Sequence, residues 1–189
     1  MGKAKYLSRI GSLFEKSPGV SFRSIERIVG SGYAKLLVSG LIKKNKIIKL
    51  TKGFYTKHNE IGLSVFCFKP AYLGLQSALS YHKVWEQETI PVIITSKKVR
   101  VGTRRIGENN ILVRKTDKKY FFGWSFEKEG QFYFPYSDLE KTAIDMFVFR
   151  QELSPETFEK VRKKLNMNKL KKYLKNYSLK TQRNILSRL

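Results

Sequence analysis

The sequence predicts a mixed α+β chain of two parts, 1–57 and 58–189, with the break near Lys57–Glu60. Three observations predict it. Residues 1–57 carry helical apolar spacing three times and close on a strand-like pair with a glycine between. Residues 90–136 carry β-branched and aromatic runs broken by turn signals. From Ser137 onward, capping residues are followed by apolar stripes, which gives a C-terminal helical segment.

The elements follow in order. Tyr6, Ile10, Leu13 and Phe14 share one helical face, and Pro18 and Gly19 end that helix. Ser21 caps a second, short helix with Phe22, Ile25, Ile28 and Val29 inward. Gly30 closes it in a left-handed position, and Ser31 caps a third helix. That third helix carries Tyr33, Leu36, Leu37, Gly40 and Leu41 at helical spacing, and Asn45 supplies a left-handed stop. Lys46 to Leu50 and Phe54 to Thr56 then read as strands joined through Gly53.

After the break, Leu63 to Phe68 is an apolar run that fits a strand or a buried helix. Pro70 opens a helix through Tyr81, and Ile90 to Thr95 is a buried strand. Asn110 to Lys115, Tyr120 to Phe126 and Gln131 to Tyr136 read as further strands. Ser137 and Glu140 form a capping box for a helix to Phe149. Ser154 and Pro155 start the next helix, with Phe158, Val161 and Leu165 as its stripe. Leu170, Tyr173, Leu174 and Tyr177 form another stripe, and Leu179 to Leu189 a last helix.

Charge points to a partner. The 189 residues hold 38 Lys and Arg against 15 Asp and Glu, a formal charge of +23. A polyanion is the partner such a field suits, nucleic acid before an acidic membrane surface. Residues 1–57 hold 13 basic and 2 acidic side chains, the least mixed segment, whereas residues 126–189 hold 14 and 8, with both signs interspersed as on solvated helices. One cysteine, Cys67, and two histidines, His58 and His82, exclude a disulfide framework and a Cys- or His-rich metal centre. No apolar run approaches the ~20 residues of a spanning helix. The N-terminal Met1 to Tyr6 lacks a signal core and the myristoylation pattern. A cytoplasmic protein without cofactor or metal is expected.

Three helices plus a hairpin within 57 residues predict a winged helix-turn-helix, whose third helix enters the major groove N-terminus first. Ser31, Gly32, Tyr33 and Lys35 then face base edges or flanking phosphates. Lys43, Lys44, Lys46, Lys49 and Lys52 grip the backbone from the helix exit and wing, and Arg23 and Arg27 lie on the helix that crosses it. A second phosphate-contacting surface is expected at Lys97, Lys98, Arg100, Arg104, Arg105, Arg114, Lys115, Lys118 and Lys119, unless those charges only blunt a sheet edge.

Enzyme signatures are lacking. There is no phosphate-binding glycine loop and no nucleophile elbow. The dense acids, Glu127 and Glu129 at a turn and Asp138 and Glu140 at a helix start, do not make a two-metal nuclease. Asp145, inside an apolar helix, pairs with a basic neighbour. His82 serves as a cap or packing group, and Cys67 as a small buried hydrophobe. A rival reading is an RNA-binding or nonspecific nucleic-acid-binding accessory protein that stacks bases on Tyr120 to Phe126 and Phe132 to Tyr136.

Three stretches, in this order, resemble the AbiEi antitoxin family of abortive-infection transcriptional regulators. Tyr33 to Thr56 (YAKLLVSGLIKKNKIIKLTKGFYT) looks like its recognition helix and wing. Lys69 to His82 (KPAYLGLQSALSYH) is similar to its Pro-x-Tyr-x-(Ser/Gly)-x-x-Ser-Ala-Leu-x-x-His segment. Ser137 to Phe147 (SDLEKTAIDMF) is similar to its Pro-Glu-(Lys/Arg)-(Ala/Thr)-x-(Leu/Ile)-Asp segment, with Asp138 and Leu139 where the family has Pro before the Glu. The resemblance implies a non-enzymatic repressor that binds inverted repeats of double-stranded DNA at its own promoter, as a monomer or weak dimer that pairs on the DNA. It also implies a separately encoded nucleotidyltransferase toxin as partner, neutralised by the C-terminal domain often without a stable complex. Tyr72, Ser77, His82, Glu140 and Asp145 are the matched C-terminal positions.

Overall fold

The structure is a computed structural model that describes residues 3–87 and 89–188. Met1, Gly2 and Leu189, which bear on the N-terminal motifs and on the end of the last helix, lie outside the described residues. The chain is mixed α+β with two sheets. It divides into two compact units, one running to Cys67 and including Arg105–Asn109, the other made of Phe68–Arg104 and Asn110–Leu189. The junction thus falls ten residues beyond position 57, the expected end of the first part.

In the first unit, α1 is Lys3–Lys16, β1 Val20–Ser21, α2 Phe22–Val29, α3 Ser31–Lys43, β2 Ile48–Thr51 and β3 Phe54–Thr56. Ile10, Phe14, Ile25, Ala34, Leu37, Val38 and Tyr55 are buried together, so one apolar stripe from each helix meets the sheet. Ser21 Oγ accepts the Ser24 amide (3.1 Å), as its place before α2 requires. Gly30 has φ +82° and ψ 155°, extended rather than left-handed, a conformation that strains any residue with a Cβ. It is also the cap of α3, so Ser31 is already helical and does not cap. Asn45 takes the expected positive φ of 53°. The sheet order is β1-β3-β2, all antiparallel. Two-residue β1 carries no alternation to read, and only its pairing with Tyr55 and Phe54 reveals it.

A 3₁₀ helix, Ile61–Phe68, fills the apolar run that fitted strand or helix equally. Next come β4 Ala71–Leu73, α4 Gln76–Tyr81, β5 Val92–Thr95, β6 Gly102–Ile106, β7 Asn109–Lys115, β8 Trp124–Glu129 and β9 Phe132–Ser137, of the second unit except for Arg105 and Ile106 of β6 and Asn109 of β7. The sheet order is β6-β7-β5-β4-β9-β8, with β5 parallel to β7 and β4 parallel to β9. The helix expected to open at Pro70 is corrected: residues 71–73 are a central strand, buried at every position. A short apolar run flanked on both sides by strands loses the alternation that marks a half-exposed one. The expected strand from Tyr120 starts only at Trp124, since Lys118–Tyr120 form a 3₁₀ turn.

The helices that follow are α5 Leu139–Val148, α6 Pro155–Lys164, α7 Met167–Leu174 and α8 Leu179–Leu186. The cap of α5 is Asp138, which accepts the Lys141 amide at 2.8 Å, and not Ser137. Ser137 ends β9 and bonds Thr142 through its hydroxyl, while Glu140 turns away to α7, so there is no capping box. Ser154 caps α6 with Pro155 in its first turn, as expected. No helix among the described residues is long and apolar enough to cross a membrane.

Candidate nucleic-acid interface

The single-residue link at Gly30 leaves the start of α3 open. Its cap has no side chain, so no side-chain bond covers the first amides of the helix. Ala34, Leu37 and Val38 hold α3 in the core, with Tyr33, Leu41 and Ile42 packed beside them. The opposite face presents Ser31, Gly32, Lys35, Leu36, Ser39 and Lys43 to solvent. Tyr33 is thus a half-buried packing residue, whereas Ser31, Gly32 and Lys35 are exposed together. Leu36, which the spacing placed in the core, is 69% exposed. An apolar side chain on the outer face of a helix is able to contact a thymine methyl in the major groove. The signal for Leu36 was its place one turn after Gly32, on the side away from Ala34 and Val38.

The cations on the neighbouring elements of the chain are exposed as well. Arg23 and Arg27, four apart on α2, are exposed, as are Lys43, Lys44, Lys46, Lys49 and Lys52 at the exit of α3 and on the hairpin. The hairpin is anchored where it matters: the Phe22 amide donates to the Gly53 carbonyl at 2.8 Å, which ties its tip to the start of α2. Among the described residues of this unit, the ion pair is Lys57 with Glu15, which leaves these cations without a carboxylate partner. The unit therefore presents a helix start and a hairpin with uncompensated positive charge.

The second basic stretch is dispersed. Lys97, Lys98, Arg100 and Arg105 are exposed around β6, and Lys115, Lys118 and Lys119 at the end of β7 and the following turn. Arg104 is half-buried, its guanidinium 5.4 Å over the Phe68 ring. Arg114 is also half-buried, with Nε unpaired. Lys119 lies over Tyr120 at 4.7 Å.

The five matched positions of the second unit all point into it. Tyr72 Oη donates to Asp145 Oδ2 at 2.8 Å, and Asp145 also holds the buried ammonium of Lys141. Ser77 Oγ accepts the Val92 amide at 2.8 Å. His82 Nε2 donates to the Ser137 carbonyl at 2.9 Å. Glu140 accepts the Asn166 amide at 2.9 Å and meets Lys169 at 3.2 Å. These bonds stitch β4 to α5, α4 to β5 and β9, and α5 to α7. Burial raises the Asp145 carboxyl above the usual carboxylate range against the pull of Lys141, and raises the Tyr72 phenol well above 10. Burial likewise pushes the half-buried Cys67 thiol up to about 12, which makes it a poor nucleophile.

The aromatic strands divide by face. Phe132, Phe134 and Tyr136 are buried, while Phe126 (55%) and Tyr133 (58%) are exposed. Register puts Phe126 opposite Pro135 and Tyr133 opposite Lys128, so the two rings share one side of the β8–β9 hairpin. Tyr120, expected in the same platform, instead stacks on Tyr177 at 4.4 Å.

A cavity of about 830 Å³ in the second unit is lined by α5, α6 and α8; its ionisable lining side chains are Arg150, Glu152 and Arg188. Among the described residues, no three His, Cys, Asp or Glu side chains are grouped to hold a metal. A scan against protein-family models finds no match, and a search of curated proteins finds none.

Proposed function

We propose that the chain is a sequence-specific repressor that binds double-stranded DNA through a winged helix-turn-helix in its first unit. The observation that carries this reading is the exposed row Ser31, Gly32, Lys35 and Leu36 at the uncapped start of α3, beside cations that no carboxylate neutralises. Small residues let that helix end approach the groove, its amides suit a phosphate oxygen, and Lys35 and Leu36 suit a guanine edge and a thymine methyl. Arg23, Arg27 and the lysines of the helix exit and hairpin supply sequence-independent phosphate contacts. The resemblance to AbiEi antitoxins adds inverted repeats at the chain's own promoter and a nucleotidyltransferase toxin as counterpart. In that role Tyr72, Ser77, His82, Glu140 and Asp145 act by shaping the second unit, because each is bonded within it. Phe126 and Tyr133 favour a second reading, an RNA-binding accessory protein that stacks unpaired bases.

A titration against the DNA upstream of the gene separates the two, with scrambled duplex and single-stranded RNA as competitors. The repressor reading expects binding that survives both competitors. Lys35→Ala and Leu36→Ala should each weaken the preferred duplex by about 1–3 kcal/mol and relax its discrimination. Lys49→Ala should weaken all duplexes alike and lower the salt slope by about 1. Equal competition by scrambled duplex would overturn sequence-specific recognition, and preferential competition by RNA would favour the aromatic platform.

A further inference from the structure

The last thirty residues hide a charge asymmetry that the segment average conceals. Between Lys160 and Leu189 stand eleven Lys and Arg and not one Asp or Glu; all eight acids of residues 126–189 lie before Lys160. The structure also shows which of these cations are already engaged. Lys160 pairs with Glu156 and Glu86, Arg162 with Glu159, and Lys169 with Asp138 and Glu140. Lys164 donates to the carbonyls of His82 and Lys83, and Arg188 lies over Phe147. Lys163, Lys171, Lys172, Lys175, Lys180 and Arg183 are exposed and have no ion pair among the described residues.

We propose that the outer side of α7 and α8 is a second nucleic-acid site, one that binds the phosphate backbone of duplex DNA without reading its sequence. Lys171, Lys172 and Lys175 form one helical row, opposite the buried Leu170 and Leu174. The turn that follows is short, and Lys180 and Arg183, three apart on α8, continue the row's charge. Two features select this partner. A membrane-surface helix inserts a continuous apolar face, but here the apolar stripes of α7 and α8 go to the core formed by Ile144, Leu170, Leu174, Tyr177 and Ile185, and the exposed apolar side chains, Met167, Leu179 and Leu186, are single residues at the helix ends among the cations. A single strand calls for exposed aromatic rings, and from Lys160 on the two aromatics, Tyr173 and Tyr177, are half-buried and buried. What remains is a set of point charges on rigid helices, suited to phosphates at fixed spacing. This site uses none of the residues of the first unit, and it accounts for charge that recognition through α3 does not use.

The test is the salt dependence of binding to a random-sequence duplex by the full chain. Each lost phosphate contact lowers the slope of log K against log salt by about 0.9. The variant K171Q/K172Q/K175Q/K180Q/R183Q is expected to lower that slope by about 3 or more and the low-salt affinity by at least about tenfold. K171R/K172R/K175R/K180R, which keeps the charge, is expected to retain the parent slope, separating charge from any packing loss. A slope change below about 1 for the Gln variant overturns the proposal. So does loss of binding to phosphatidylserine vesicles with the duplex slope unchanged, which would assign the surface to a membrane. Polyglutamate bound as tightly as the duplex overturns it as well. A companion R23Q/R27Q/K35Q variant keeps the two readings apart. If it leaves discrimination between promoter and scrambled duplex intact, recognition through α3 fails while the slope of the α7–α8 variant still decides this site.

Discussion

Lys141→Met or Asp145→Leu alone is expected to destabilise the second unit by about 3–5 kcal/mol in urea unfolding, while the double variant recovers most of that loss. The Lys141 side chain is fully buried, and its ammonium meets Asp145, the Tyr177 hydroxyl at 3.2 Å and the faces of Phe122 and Tyr72 at 5.4 and 5.9 Å. Either single change leaves one charge in a low-dielectric site without its partner. Removing both takes the desolvation cost away with the attraction, and two apolar side chains fill similar volume. The loss for Lys141→Met should be the smaller, because the Asp145 carboxyl is already raised by burial and can take up a proton once the lysine is gone. Single losses below about 1 kcal/mol would show that water reaches the pair. A double variant as unstable as the singles would show that the pair fixes geometry that packing cannot. The same measurement bears on function. On the proposed antitoxin reading, any fall in toxin neutralisation by Tyr72 or Asp145 variants should track their loss of stability; a fall at full stability would make them contacts.

The first unit was legible because its determinants are local. Ser21 caps α2, Asn45 stops α3 and Gly53 turns the hairpin, all within a few residues of the groups they serve. Its misreadings have equally local causes. Leu36 fits the apolar spacing of α3, yet the core is already filled by Leu37, Val38 and Ala34 on the adjacent face. Ser31 follows Gly30 like a cap, but Gly30 is itself the residue that leaves the helical region on both sides. In the second unit the deciding contacts are distant in sequence. Whether residues 71–73 form strand or helix depends on Ile93–Thr95, and whether Glu140 serves its own helix depends on Asn166. Periodicity does not carry such information. Asp145 was legible as a paired carboxylate because a charge inside an apolar helix needs a partner, and Lys141 stood one turn before it. Tyr72 and Tyr177, the other members of that cluster, had no signal along the chain to join them.

Alkaline unfolding should be steep and should expose tyrosines together with the loss of helix. In the unfolded chain tyrosines ionise near pH 10. In the folded chain burial, then the Asp138 carboxylate, pushes Tyr173 up to about 12. Tyr72, Tyr136 and Tyr177 are raised further, first by burial and then by Asp145, Glu129 and Asp145 respectively. Below pH ~10 both states keep these protons and stability is unaffected. Above it the unfolded state releases protons that the native state holds, so stability falls as pH rises. Each tyrosine steepens the rise of the unfolding constant by up to about tenfold per pH unit, and four together by up to about 10⁴. Tyrosinate absorbance and far-ultraviolet circular dichroism, followed from neutral to strongly alkaline pH, should therefore share one cooperative step. Tyr177→Phe should reduce the proton count of that step by one. A single smooth titration of all ten tyrosines near pH ~10, with the helical signal intact, would mean that these phenols ionise in the native state. The buried tyrosines around Asp138 and Asp145 would then be open to water, and with them the ion pair whose loss is expected to cost the most.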